Sequence, residues 1–220
     1  AGAQHFGPYE LVGRLGAGGM GVVYKARQAG LDRVVALKVL LAGEHADEAE
    51  ISRFKDEARM VARMKHPNIV PIYDCGQVGD RHYFTMEFVP GGGIDERIER
   101  ETRIAAEDAV PMLVDTAHGL AYAEEQGVIH RDIKPENLML DERGAVKIVD
   151  LGIACIVLGR RRHAQGGDVF GSAHYIAPEQ AAGRRIDHRV DMYGLGATAY
   201  HMLSGRTLFT GKSEDELMHK

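Results

Sequence analysis

The segment HRDIKPENLMLDERGAVKIVDLG, residues 130–152, combines side chains that can accept a proton, hold a metal ion and offset negative charge. An ionised carboxylate such as Asp132 can accept a proton from a hydroxyl group. The ammonium group of Lys134 can offset charge on a phosphoryl group in transfer. Asn137 and Asp150 carry the hard oxygen atoms that Mg²⁺ takes as ligands alongside phosphate oxygens. These residue types at this spacing predict phosphoryl transfer.

A β-hairpin is predicted between the two parts of this segment. Mainly apolar segments at 138–140 and at 146–149 flank the polar turn 141–144, which contains a glycine. Such a pattern is typical of two short antiparallel strands. The hairpin would return Asp150 to the loop that precedes its first strand.

HRDIKPEN followed by DLG resembles the catalytic loop and the metal-binding turn of protein kinases. The resemblance implies that Asp132 is the catalytic base and that Lys134 contacts the γ-phosphate of ATP. It also implies that Asn137 and Asp150 bind Mg²⁺, or Mn²⁺ in its place. The alternative is a polar surface turn with scattered charges, which would not explain why later segments agree with the family in order.

Composition is ordinary for a globular protein of 220 residues, with 45% hydrophobic and 27% charged residues. A net charge of -5 gives no support to nucleic-acid binding. Cys75 and Cys155 are too few for a disulfide framework, which favours a reducing, cytoplasmic location. No apolar run approaches the ~20 residues that a membrane span needs, although a longer protein containing this chain could be anchored.

A glycine-rich stretch lies between predicted strands at 9–15 and 22–27. Glycine lets the backbone approach a phosphate, because it has no Cβ. The GxGxxG spacing alone is weak evidence, since dinucleotide-binding folds share it. Here a strand follows it, which resembles the phosphate-covering loop of kinases and argues against a Rossmann unit. The nucleotide-binding candidates in this stretch are Leu15, Gly16, Gly18, Gly19, Gly21 and Val23.

Lys38 lies in the middle of the predicted apolar strand 34–41. The two-residue period of a strand places Ala36, Lys38 and Leu40 on one face. A lysine in such a run is costly unless it is paired. VALK at 35–38 resembles the kinase motif whose lysine holds the α- and β-phosphates. The alternative is an edge-strand lysine that prevents aggregation.

Glu57 is the predicted partner of Lys38. It flanks the apolar stripe of a helix predicted at 49–64, so its carboxylate does not face open water. The resemblance implies the ion pair between this helix and the strand lysine that active kinases form. Glu48, Glu50 and Asp56 are competing acids, but they lie on the solvated face or before the helix.

A Pro-Gly-rich turn at 90–93 follows two predicted strands, 69–76 and 82–88, and marks a boundary between lobes. By resemblance, the residues around this boundary and two strand residues contact adenine. Met86 would be the gatekeeper, the backbones of Glu87 and Val89 would meet the adenine edge, and three side chains would cover the ring. These three are Ala36, Val23 and Met139.

Helices are predicted at 94–104 and 106–126, followed by a short strand at 128–129 and a further helix that begins at Asp191. By resemblance, Asp191 anchors the backbone of the catalytic loop. The core-facing stripe of the second helix is predicted from its apolar spacing. Its members are Val110, Leu113, Val114, Ala117, Leu120 and Ala121.

Residues 153–170 contain no Ser, Thr or Tyr and lead to Ala-Pro-Glu at 177–179, which resembles the close of a kinase activation segment. Many kinases order this loop by phosphorylation. Two alternatives remain for this chain. Either a homodimer contact activates it, or Asp168 partly substitutes for a phosphate.

The sequence therefore predicts an α+β, bilobal protein-kinase-like fold. Residues 1–89 would form a small antiparallel sheet with one helix, and residues 90–220 a mainly helical lobe that lacks the last helices of the family. The chain resembles the eukaryotic-like serine/threonine kinases of bacteria, which implies protein substrates. The alternative functions are a pseudokinase or scaffold that binds nucleotide or a partner, and a small-molecule phosphotransferase.

Overall fold

The computed structural model describes residues 4–18, 21–40, 62–151, 172–211 and 216. Several predicted features lie outside the described residues. They are Glu57 with most of the predicted helix 49–64, Gly19, and the loop 153–170. The chain divides into two compact units. Among the described residues, the first unit holds 4–18, 21–40, 62–64 and 70–88, and the second holds the remainder.

A six-stranded antiparallel sheet forms the first unit, in the order β1-β2-β3-β4-β6-β5. Every pair of neighbours in this sheet is antiparallel, so short connections suffice between most strands. The strands are β1 (Gln4–Phe6), β2 (Tyr9–Gly18), β3 (Gly21–Gln28), β4 (Arg33–Leu40), β5 (Ile72–Val78) and β6 (Arg81–Glu87).

Strand β4 is covered on both faces. Every residue from 35 to 40 is buried, including Lys38. Successive side chains of a strand point to opposite faces, so both faces of the sheet are covered at β4, and the face of Val35, Leu37 and Val39 packs in an apolar cluster. This is why the strand contains an almost continuous apolar run instead of an alternating pattern.

The core of the first unit contains a buried tyrosine that is hydrogen-bonded to a carboxylate. Tyr9 is fully buried, and its hydroxyl donates to Asp74 Oδ2 at 3.0 Å. Its ring packs edge-on against Tyr83, with 5.5 Å between the ring centroids. Burial raises the pKa of the Tyr9 hydroxyl, and the negative charge of Asp74 raises it further.

Helices dominate the second unit. They are α1 (Ile94–Glu101), α2 (Ala106–Glu125), α3 (Pro178–Ala181) and α4 (Arg189–Ser204), with 3₁₀ turns at Pro135–Asn137 and Ser172–Tyr175. The hairpin β7 (Leu138–Leu140) and β8 (Val146–Ile148) completes the described elements of this unit. The prediction of a strand at 128–129 is wrong, because these residues are in an irregular connection. The predicted α+β class is confirmed.

The predicted core-facing stripe of α2 is only partly correct, because Leu120 is buried but other members are not. Val110 and Val114 are 54% and 46% exposed, although both are apolar. A Cβ at Gly119 would lie 2.7 Å from Ile148 Cδ1 and 3.1 Å from Asn68 O, so the helix approaches its neighbours through a glycine. The face that packs therefore includes small residues as well as Met112 and Leu120, and apolar spacing alone does not reveal the small ones. Its buried residues are Ala109, Met112, Thr116, Gly119, Leu120 and Ala123.

No helix in the described part of the chain is long and apolar enough to cross a membrane.

Replacing Tyr9 by Phe should destabilise the protein by about 1 kcal/mol at neutral pH, because Asp74 loses its hydrogen-bond donor. In the unfolded chain Tyr9 ionises near its ordinary pKa of about 10, whereas burial raises the pKa in the folded state. The stability that this group contributes is therefore complete below that pH and falls as the pH rises above it. Urea unfolding at neutral and alkaline pH measures both effects.

Tyr73→Phe is the matched control, because Tyr73 is an exposed tyrosine on β5, the strand that also carries Asp74. It should change stability by less than about 0.5 kcal/mol. Tyr9→Phe should lose less stability than the wild type between neutral and alkaline pH, and equal losses would contradict the assignment.

Candidate active site

The β7–β8 hairpin is closed by the side chain at its turn. Asp141 Oδ1 accepts hydrogen bonds from the backbone N–H groups of Arg143 at 2.8 Å and Ala145 at 2.9 Å. Asn68 binds the outer edge of β8, since its side-chain amide donates to Val146 O and its backbone oxygen accepts from Ile148 N. The hairpin is thus held at both its turn and its free edge.

Asp132, Lys134 and Asn137 are brought together before this hairpin. Lys134 Nζ lies 3.3 Å from Asp132 Oδ2. Asn137 Nδ2 donates to the backbone oxygen of Asp132 at 2.7 Å and lies 3.3 Å from Oδ2. The Asp132 carboxylate therefore lies between a cation and an amide.

Asp150 is attached to the same loop through the residue before it. Val149 N donates to Asn137 O at 3.0 Å, and Val149 O accepts from His130 Nε2 at 2.9 Å. Asp150 itself has φ +60, a left-handed conformation that costs energy for a residue with a side chain. The structure thus brings Asp150 beside the loop of Asp132 and Asn137.

His130 links the two halves of the site. Because the Val149 carbonyl can only accept, Nε2 of His130 carries the hydrogen and Nδ1 is the acceptor in the neutral ring. The N–H of Asp132 donates to that Nδ1 at 3.2 Å. His130 is only 1% exposed, and the sequence pattern indicated no role for it beyond membership of the motif.

Asp191 holds the backbone of the loop, as the family resemblance implied. Its carboxylate accepts from the N–H groups of His130 at 2.8 Å and Arg131 at 2.7 Å. Asp191 is buried, and it lies in the first turn of α4, where the helix dipole favours a negative charge. The helix begins at Arg189, two residues before the predicted start.

Helix α4 lies against the loop at a glycine. Gly194 is buried, and a Cβ there would lie 2.9 Å from the backbone oxygen of Ile133 and 3.1 Å from its Cβ. Only a residue without a side chain allows this approach. Gly194 was not identified from the sequence, because its role depends on which elements meet.

The turn at 172–175 is held by two histidines. Tyr175 OH and His201 Nδ1 are 2.7 Å apart, and His174 Nδ1 donates to Phe209 O at 2.8 Å. Burial raises the pKa of Tyr175, whereas burial lowers the pKa of His201 and the nearby His174 lowers it further. Near neutral pH both side chains are therefore uncharged.

In the first unit, strands β2 and β3 extend further into the glycine-rich stretch than predicted. Gly18 pairs with Gly21 in the antiparallel register. Gly21 has φ +152, and a Cβ there would collide with Val39 O. Leu15, Gly16 and Val23 lie on these same two strands.

The other candidates of the first unit lie on β4 and β6. Lys38 is 5% exposed, and its Nζ lies 5.9 Å from the centroid of the Phe84 ring. Ala36 pairs with Met86, and Val35 with Glu87, so the predicted adenine-contacting residues of the sheet are neighbours. The second unit contains the two others, Val89 and Met139.

Alanine at Gly194 should destabilise the protein by about 1–3 kcal/mol, because the new methyl group overpacks the contact with Ile133. The matched control is Gly196→Ala, two residues along the same helix, where no atom lies within 4 Å of the added Cβ. That change should instead stabilise the protein by about 0.5–1 kcal/mol, since alanine favours a helix over glycine. Urea unfolding of the two variants measures the contrast, and a gain in both would contradict the close approach.

A family model described as the protein kinase domain matches residues 9–220. The chain is 40% identical over 205 residues to a probable serine/threonine-protein kinase of Clostridium perfringens, covering 93% of this chain and 30% of that protein. It is 37% identical over 207 residues to the serine/threonine-protein kinase PrkC of Bacillus subtilis, covering 94% and 32%. It is also 38% identical over 209 residues to the serine/threonine-protein kinase PknB of Mycobacterium leprae, covering 93% and 34%.

The chain spans about a third of the length of these relatives. The family match itself covers nearly all of the chain and includes both units. The predicted resemblance is confirmed, and the chain belongs to the protein kinase family.

Proposed function

We propose that this chain is a serine/threonine protein kinase that transfers the γ-phosphate of ATP to Ser or Thr hydroxyls of proteins. One observation carries the proposal. The Asp132 carboxylate lies between Lys134 and Asn137 in a loop whose backbone is held by Asp191. The family match and the names of the bacterial relatives support it.

Asp132 would act as the base for the acceptor hydroxyl. Its contacts with Lys134 and Asn137 orient the carboxylate, and a carboxylate can accept the proton of a hydroxyl group. Lys134, 3.3 Å away, would also offset negative charge on the phosphoryl group in transfer. A lysine at this position favours Ser and Thr over Tyr as acceptors by resemblance to the family.

The chemistry of the available oxygen atoms fits a divalent cation at Asn137 and Asp150. Nδ2 of Asn137 donates a hydrogen bond to the backbone oxygen of Asp132, so Oδ1 of Asn137 is the atom that can be a metal ligand. Within the described ranges, no group of three His, Cys, Asp or Glu side chains could hold a metal by itself. An amide and one carboxylate suit Mg²⁺ or Mn²⁺, which would neutralise the phosphates when bound with the nucleotide.

Each unit contains residues that would bind ATP under this proposal. In the first unit, Lys38 would contact the α- and β-phosphates, with Glu57 as its partner, and the glycines of β2 and β3 would approach the phosphates. The burial of Lys38 in an apolar strand supports this role, because a buried ammonium group requires compensating anions. The adenine ring would contact side chains or backbone of Val23, Ala36, Met86, Glu87, Val89 and Met139.

Replacing Asp132 by Asn should lower phosphate transfer by about 10²–10⁴-fold, because the amide cannot accept the hydroxyl proton. ATP binding should persist in this variant, whereas Lys38→Met should weaken it. Transfer of labelled γ-phosphate to a generic basic protein measures the first effect, and isothermal titration with Mg-ATP measures the second.

Asp80→Asn is the matched control, since Asp80 is an exposed residue of the β5–β6 turn and its replacement should leave transfer unchanged. Transfer by Asp132→Asn equal to the wild type would contradict the catalytic role. A wild type that binds nucleotide without transferring phosphate would favour the pseudokinase or scaffold alternative.

A further inference from the structure

The side chain of Gln180 bridges two loops that are distant in sequence. Gln180 is the third residue of α3 and is partly buried. Its Oε1 accepts from the backbone N–H of Ala177 at 3.2 Å, and Ala177 is the first residue of the Ala-Pro-Glu motif at 177–179. Its Nε2 donates to the backbone oxygen of Arg131 at 3.0 Å, across a sequence separation of 49 residues.

The Arg131 oxygen belongs to the peptide group that leads into Asp132. The N–H of the same peptide group donates to His130 Nδ1 at 3.2 Å. The preceding peptide group is held as well, because the N–H of Arg131 donates to Asp191 at 2.7 Å. Arg131 has φ +71, a conformation that a residue with a side chain keeps only when its surroundings impose it.

The chemistry of the two partners matches the side-chain amide of Gln180. A backbone N–H can only donate and a backbone carbonyl can only accept, so the side chain between them must both accept and donate. Glutamate cannot donate to Arg131 O at neutral pH, and lysine cannot accept from Ala177 N–H. Asparagine has both functions but is shorter by one methylene group.

We infer that Gln180 is a positioning residue for phosphate transfer, which sets the peptide group before Asp132. Through Ala177 it also couples that peptide group to the turn Ser172–Tyr175, which Tyr175 and His174 attach to His201 and Phe209. The orientation of the base thus depends on how this turn is placed. The inference rests on the proposed function of Asp132.

Gln180→Glu and Gln180→Met test this role. Both remove the donor to Arg131 O, and only the first retains an acceptor for Ala177 N–H. Both should lower kcat about tenfold, because a small misorientation of a reacting group is costly, while the KM for ATP stays within about twofold. A loss of activity in proportion to the folded fraction alone, with kcat per folded molecule unchanged, would overturn the inference.

Gln77→Glu is the matched control, because Gln77 Nε2 also donates to a backbone oxygen at an exposed site, that of Gly79 at 2.9 Å. The same substitution removes the same type of bond there, and kcat should stay unchanged. A tenfold lower kcat in this control would mean that the loss reflects general destabilisation, and would also overturn the inference.

Hydrogen exchange distinguishes a failure of this inference from a failure of the proposed function. If the wild type transfers no phosphate, the function is wrong, but the contact can still be tested. Gln180→Glu should then accelerate exchange of the amides of Arg131 and Asp132 at least fivefold, while the amides of α2 (Ala106–Glu125) keep their rates. Equal exchange at Arg131 and Asp132 in the two proteins would overturn the positioning role.

Discussion

The second unit depends on one buried carboxylate that binds backbone instead of a side chain. Asp191 accepts the N–H groups of His130 and Arg131 and is 5% exposed. A buried carboxylate is stable only when its charge is compensated, and here two donors and the first turn of α4 supply that compensation. The contact attaches the loop to α4, which packs against α2, so the loop is fixed to the helical core.

Further hydrogen bonds connect the backbone at His130 and Arg131 to the residues around Asp132 and Asp150. His130 donates to the oxygen of Val149 and accepts from the N–H of Asp132, so one ring connects Asp132 with the residue before Asp150. The N–H of Val149 returns to Asn137. Two residues of this region, Arg131 and Asp150, have positive φ, and this strain is tolerated because several hydrogen bonds act on the same short stretch.

Close approach of backbone is the second constraint. Gly194 lets α4 meet the loop at Ile133, and Gly119 lets α2 meet β8 and Asn68. A methyl group at either position would separate the elements on which the polar contacts depend, and those contacts weaken steeply with distance. The hydrogen bonds of the loop therefore depend on the close packing that Gly194 and Gly119 allow.

The sequence by itself was sufficient to predict most of the described strands and helices and the polar side chains that they carry. The hairpin around 138–148, the apolar strand of Lys38 and the spacing of Asp132, Lys134 and Asn137 follow from local patterns, because turn residues and strand periodicity act over a few residues. The family resemblance in these motifs was sufficient to predict the fold class and the role of Asp191.

Only the tertiary structure decided which faces pack and which residues support the loop. The buried face of α2 differs from its apolar stripe, since Gly119 and Thr116 pack while Val110 and Val114 are exposed. The bridging contact of Gln180 joins residues far apart along the chain, and no local pattern specifies such a partner. Contacts of this kind depend on the relative placement of whole elements, which is set by the sum of many weak packing interactions.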